Sequence, residues 1–185
     1  VVQEVAAKRA ASWAVSGQTV ARYPDLMSDL MLVRRWRPWA ANEGKRLVRA
    51  PKVYVRDSGL VHALLGLTHF DDVIAHPVAG GSWEGWVIDN LLATAPLGTQ
   101  AYFYRTSAGA EIDLVLELPK RQRWAIEIKR SSAPSVSKGF HIAAADLNAS
   151  SKFVVHAGAE SFPLAAGVQA VTLTDLQRRL TDPRR

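Results

Sequence analysis

Between Tyr104 and Lys129, two short runs, Glu111-Ile112-Asp113 and Glu127-Ile128-Lys129, alternate charged and apolar residues. Successive side chains of a β-strand point to opposite faces, so two strands sort this pattern into a charged face and an apolar face. In the first strand Glu111 and Asp113 then share one face while Ile112 and Leu114 point the other way. In the second, Ala125, Glu127 and Lys129 oppose Trp124, Ile126 and Ile128. A carboxylate on one strand, beside a carboxylate and an amine two residues apart on the next, is a donor set with which a sheet can hold a hard divalent cation. The same alternation also fits a half-exposed hairpin whose polar face is simply solvated.

The rest of the chain narrows the choice. At 185 residues it suffices for one ordinary domain or two small ones, and 48% hydrophobic with 22% charged residues is a globular composition. No run approaches bilayer-spanning length and no charged-then-apolar leader opens the chain, so no membrane is expected among its partners. The absence of Cys removes disulfides and thiolate metal sites, and a cytoplasmic protein is the expectation. The chain opens on Val1 in an already helical pattern, as a piece of a longer protein would.

The net charge of +6 is unevenly spread. Arg34, Arg35, Arg37, Lys45, Arg46, Arg49, Lys52 and Arg56 stand against the single acid Glu43. Such a block either guards exposed strand edges or binds a polyanion. On the second reading Arg46, Arg49, Lys52 and Arg56 are the candidate nucleic-acid contacts.

Apolar spacing predicts helices over 1–14 and from Thr19 to about Leu32, broken at Ser16-Gly17; Pro24 either starts the second helix or bends it. Strands are expected over Leu32–Trp39 and Val48–Arg56 around an Asn42-Glu43-Gly44 turn, which makes a winged helix-turn-helix outline. Asp57-Ser58 caps a short helix, Gly59 to Leu65, and a loop from His69 to Gly81 separates a segment 1–68 from a segment 69–185. The next helix is expected from Gly80-Gly81-Ser82 to Ala93, with Ser82 as N-cap. Here Glu84 shares a face with Val87, Ile88 and Leu91. A carboxylate so placed neutralises, finds a cation, or interacts with the helix N-terminus. Strands at Ala101–Arg105, Glu111–Leu118 and Arg123–Arg130 follow, then a helix Ser137–Leu147, strands Lys152–His156 and Gln169–Leu173, and a last helix Asp175–Leu180. The fold class expected is α/β (α+β), a mixed sheet flanked by helices.

Glu84 on a helix, Asp113 on a strand and Glu127-Ile128-Lys129 on the next, 14 residues on from Asp113, resemble the core of the restriction-endonuclease-like PD-(D/E)xK superfamily. A wider resemblance runs through Lys45-Arg46-Leu47, Pro51-Lys52-Val53-Tyr54, Asp57-Ser58-Gly59-Leu60, Trp83-Glu84, Tyr104-Arg105 and the two charged runs. In that order they resemble the C-terminal module, a domain of unknown function, of bacterial and archaeal AAA-type ATPases. Pro24 departs from that family, which usually has an aliphatic residue there. The resemblance implies a winged-helix segment, an N-terminal P-loop ATPase region as partner, DNA as a second partner, and metal-dependent phosphodiester cleavage. It leaves a homo-oligomer open. It implies Asp113, Glu127 and the Ile128 carbonyl as ligands of Mg²⁺ or Mn²⁺, Glu84 on a water or a second ion, and Lys129 as the catalytic amine. No Gly-x-x-x-x-Gly-Lys-Ser/Thr run occurs, so ATP hydrolysis is not expected of this chain, and its five His lack zinc-like spacing.

Overall fold

The computed structural model describes residues 17–39 and 51–181. The helical pattern at 1–14, the Asn42-Glu43-Gly44 turn, Arg46 and Arg49 lie outside the described residues. The first helix, α1 (Gly17–Asp29), continues across Pro24, whose carbonyl accepts from the Ser28 hydroxyl at 2.7 Å. Strands β1 (Val33–Trp36) and β2 (Lys52–Val55) pair antiparallel, from Val33↔Val55 to Trp36↔Lys52. The first is shorter than the expected Leu32–Trp39 strand because residues 37–39 leave it for the main sheet. There Phe103 N–H donates to the Arg37 carbonyl at 3.3 Å and Trp39 N–H to the Phe103 carbonyl at 2.8 Å.

Helix α2 (Ser58–Leu64) begins where Asp57 accepts from the N–H groups of Gly59 and Leu60, as its sequence predicts. The stretch expected as a loop instead holds α3 (Phe70–Ala75) and the start of α4 (Val78–Thr94). Six residues are too few for a helical period to show in a sequence. The earlier start of α4 follows from Pro77, whose φ of −56° is already helical. Ser82 therefore lies inside the helix, and its hydroxyl meets His62 Nε2 at 2.8 Å rather than capping.

Strands β3 (Gln100–Arg105), β4 (Glu111–Leu118) and β5 (Gln122–Lys129) form an antiparallel meander. Helix α5 (Lys138–Asp146) follows, with the Ser137 hydroxyl accepting from Phe140 N–H at 3.1 Å. Next come β6 (Ser151–His156), a short edge strand β7 (Phe162–Pro163) with no signal in the sequence reading, β8 (Val168–Val171) and α6 (Leu173–Thr181). The six-stranded sheet has the order β3-β4-β5-β6-β8-β7, with β5, β6 and β8 parallel. It is the mixed α/β architecture expected.

The sheet buries both faces. On one, Val87, Ile88 and Leu91 of α4 and Leu176 and Leu180 of α6 pack on Leu114, Leu116, Ile126 and Ile128. On the other, Phe140, Ala143 and Ala144 of α5, with Leu147 at its C-cap, pack on Tyr104, Ile112, Val115 and Ala125. Trp36 joins the first core and Trp39 the second, where its Nε1 donates to Glu117 at 2.9 Å, so the N-terminal hairpin is clamped to the sheet by both layers. Among the described residues no helix is long and apolar enough to cross a membrane.

The α5 layer carries a test of this packing. A Cβ on Gly139 would lie 2.6 Å from the Gly109 carbonyl oxygen. Backbone on both sides leaves no flexible group to yield, so Gly139→Ala is expected to cost about 1–3 kcal/mol, read from denaturant midpoints.

Candidate metal centre

The charged runs meet at one end of the sheet, through a distortion that strict alternation does not contain. Tyr102 pairs with Val115, but Tyr104 pairs with Ile112, so two β4 residues, Asp113 and Leu114, oppose Phe103 alone on β3. This bulge separates Ile112 and Leu114, which alternation puts on one face; Ile112 packs in the α5 core and Leu114 in the α4 core. Bulges re-aim side chains next to functional sites. Here Asp113 reaches two neighbouring elements. Its Oδ2 accepts from Ile128 N–H of β5 at 2.9 Å, and its Oδ1 lies 3.4 Å from Lys52 Nζ of β2.

Glu84 comes from α4 and does not enter the apolar core. It lies half-buried beside β2, with Oε1 2.5 Å from the Tyr54 hydroxyl that donates to it and 3.1 Å from Lys52 Nζ. Helix and hairpin approach this closely because residue 85 is glycine; a Cβ there would meet Tyr54 Cδ1 at 3.3 Å. Glu111 completes the group at 3.2 Å from Lys52 Nζ, with Arg105 on its outer side at 3.5 Å. The Lys52 ammonium thus stands among three carboxylates carried by α4 and β4.

Beside them, Lys129 Nζ lies 2.6 Å from Glu127 Oε1. The other oxygen of Glu127 is buried without a hydrogen-bond partner among the described residues. In the parallel register Lys129 aligns with His156, a buried ring whose Nδ1 accepts from Gly158 N–H at 3.0 Å and whose Nε2 has no partner among the described residues.

These surroundings shift the titrations. Burial, with Glu84 and Glu127 adding repulsion, pushes Asp113 up to about 7 against the pull of Lys52 and the Ile128 N–H. Burial also raises Glu127, with Lys129 opposing and Glu111 and Glu84 assisting. Burial opposes the charge on Lys52, but Glu84, Asp113 and Glu111 together outweigh it and hold the ammonium above its ordinary value. Lys129 is raised on the same balance, mainly through Glu127. Burial and then Glu84 drive the Tyr54 phenol well up, so it stays a donor.

In chemical type, though not in their present arrangement, the donors suit a hard divalent cation. All are oxygens, one of them is a buried orphan, and an ammonium already serves as the central positive charge. Among the described residues no three acidic or histidine side chains stand ready to hold a metal ion. The point on which three of them converge is Lys52 Nζ.

The sequence candidates among the described residues each have a place. Glu84, Asp113, Glu127 and Lys129 come together, and Ile128 joins them through its N–H. Lys52, assigned by charge to a basic surface, lies in the acidic cluster. Arg56 is exposed, and its N–H donates to the Leu32 carbonyl at 3.0 Å. Tyr54 and His156 were not singled out as site residues. The Lys-Val-Tyr spacing, which puts residues 52 and 54 on one strand face, was the available signal for Tyr54; His156 had none.

Residues 79–176 match a family model described as Domain of unknown function (DUF4143), and residues 2–71 match a second, Domain of unknown function (DUF8612). The uncharacterized proteins Mb2031c of Mycobacterium bovis and Rv2008c of Mycobacterium tuberculosis are each 43% identical over 171 residues, covering 89% of this chain and 37% of their own length. The chain therefore spans little more than a third of these relatives. No solved structure gives a significant match. Since the first family model covers more than half of the chain, the chain belongs to the DUF4143 family.

Proposed function

We propose that this chain is a metal-dependent DNA-cleaving module of the PD-(D/E)xK kind, following a winged-helix segment in the C-terminal part of an AAA-type ATPase. One observation carries the reading: three separate elements bring Glu84, Asp113 and the Glu127–Lys129 pair to one end of the sheet, where Glu84 and Asp113 hold an internal cation, Lys52. Asp113 and Glu127, with the Ile128 carbonyl, would hold Mg²⁺ or Mn²⁺, and Glu84 would bind a water or a second ion beside them. A divalent ion there supplies Lewis acidity toward a phosphoryl oxygen. Lys129 positions the attacking water and donates to the phosphate as its charge grows. Arg46, Arg49 and Arg56 contact the DNA backbone.

A second reading is a catalytically silent module that docks DNA or a protein for the ATPase. The ammonium seated among the carboxylates favours it, because the cluster is already partly neutralised. Incubation of the chain with supercoiled and linear DNA in Mn²⁺ separates the two. Cleavage that stops on chelation is the expected result. DNA binding that is retained without cleavage, across Mg²⁺ and Mn²⁺, would leave only the silent module.

A further inference from the structure

We propose that Lys52 is the resident cation of this site, an ammonium brought in by β2 that a divalent ion must replace, and that once freed it faces the phosphodiester the ion recruits. The inference rests on the metal reading of the cluster and goes beyond it, because it gives the N-terminal segment a part in the site.

Its geometry is that of a counter-ion rather than a surface lysine. Nζ lies 3.1 Å from Glu84, 3.2 Å from Glu111 and 3.4 Å from Asp113, and the side chain is 19% exposed. It also lies 5.7 Å from the Phe103 ring centroid, over the ring face. Its ammonium donates to Glu84 and Asp113 and forms an ion pair with Glu111. Tyr54, two residues on and therefore on the same strand face, holds Glu84 in place. The two side chains form one device: the phenol fixes Glu84 and the ammonium offsets the charge of the group.

A hard divalent ion on Asp113, with Glu84 on its water or on a second ion, needs oxygens that the ammonium now holds, and the two cations cannot share them. Binding is thus an exchange, and the apparent affinity of the wild-type chain is lowered by the cost of expelling Lys52. The exchange also links two segments. Lys52 lies in the part matching the second domain of unknown function and the carboxylates in the DUF4143 part, so metal occupancy loosens one tie between the β1–β2 hairpin and the sheet.

The test compares wild type with Lys52→Met by calorimetric titration with Mn²⁺ and with Ca²⁺, and by thermal melting. Lys52→Met is expected to bind Mn²⁺ about tenfold more tightly. It should melt lower than wild type without metal and recover when metal is added. Equal or weaker binding by Lys52→Met overturns the exchange while leaving the metal site standing. Binding by Lys52→Met alone upholds the resident cation and overturns metal dependence in the wild-type chain. Binding by neither overturns both. A second measurement needs no variant: reductive methylation of wild-type lysines, read by mass spectrometry. Lys52 should react slowly without metal and severalfold faster with saturating Mn²⁺, and an unchanged rate at saturation contradicts the exchange.

Discussion

Asp113→Asn is expected to abolish cleavage and at the same time to stabilise the metal-free protein above neutral pH. In the folded chain the Asp113 carboxyl keeps its proton up to about pH 7, whereas in the unfolded chain it loses it near its ordinary value of 3.8. Between those values the folded state binds the extra proton, so stability falls as pH rises through the window and is level above it. Asparagine carries no such penalty and still offers one oxygen to the Ile128 N–H. Its advantage should be nil at pH 4 and roughly 2–3 kcal/mol by pH 8, part of the full linkage value being lost with the Lys52 contact. Wild type recovers by binding a divalent ion, and Asp113→Asn cannot. The metal-induced rise in melting temperature should vanish, and cleavage should fall by about 10³, equivalent to several kcal/mol of charge stabilisation. Parallel stability curves for the two proteins between pH 4 and 8 would falsify the assignment of Asp113 as the strained carboxylate.

Such a residue is costly to the fold, and its surroundings show how it is kept. The bulge in β4 aims it, the Ile128 N–H fixes one oxygen, and Lys52 offsets its charge. Buried carboxylates held close together commonly mark functional sites, since each raises the other's proton affinity. The Trp39–Glu117–Arg123 group at the other end of β4 shows the contrast. There Arg123 lies 2.8 Å from Glu117, Trp39 Nε1 donates to the same oxygen, and every charge has its counterpart. That group fastens the hairpin; the Asp113 cluster keeps carboxylates in excess.

The strands of the centre were legible because alternation and turn residues coincide there. Strand β4 occupies the run Glu111–Leu118 that its pattern marks, and β5 lies one residue from its expected bounds. Glu84 was legible as a misfit, a carboxylate on an apolar helical face, though its partners proved to be Lys52 and Tyr54 of another element. The bulge was not legible, since one extra residue in a ladder is set by pairing with β3 and leaves the local alternation intact. Lys52 was misplaced for a related reason. A run of basic residues reads as a surface, and only the docking of β2 on α4, allowed by Gly85, turns one of them inward. Helix α3 escaped because its six residues hold fewer than two turns, and β7 because a two-residue edge strand has no period.

Lys129→Met should separate the two tasks that one side chain performs. Among the described residues Lys129 is the one partner of Glu127 Oε1, and the other oxygen of Glu127 is buried with none. Removing the ammonium leaves a carboxylate that is 9% exposed and already raised in pKa by burial. Taking one member from a buried pair costs up to about 3–5 kcal/mol, but Lys129 is 42% exposed and solvent screens it, so about 1–2 kcal/mol at neutral pH is the expected loss. The loss should disappear at low pH, where Glu127 is protonated in folded and unfolded chains alike, because a raised carboxyl pKa penalises folding only above the unfolded value. It should also disappear in the double variant Glu127→Gln/Lys129→Met, whose double-mutant cycle then reports the coupling directly. A divalent ion restores positive charge beside Glu127, so Mn²⁺ should stabilise Lys129→Met more than wild type. Cleavage should nonetheless stay at background, because the ion replaces the charge that Glu127 needs and not the donor that the phosphate needs. If Mn²⁺ restored cleavage along with stability, Lys129 would be a counter-ion of Glu127 and the donor to the phosphate would have to be sought in another residue.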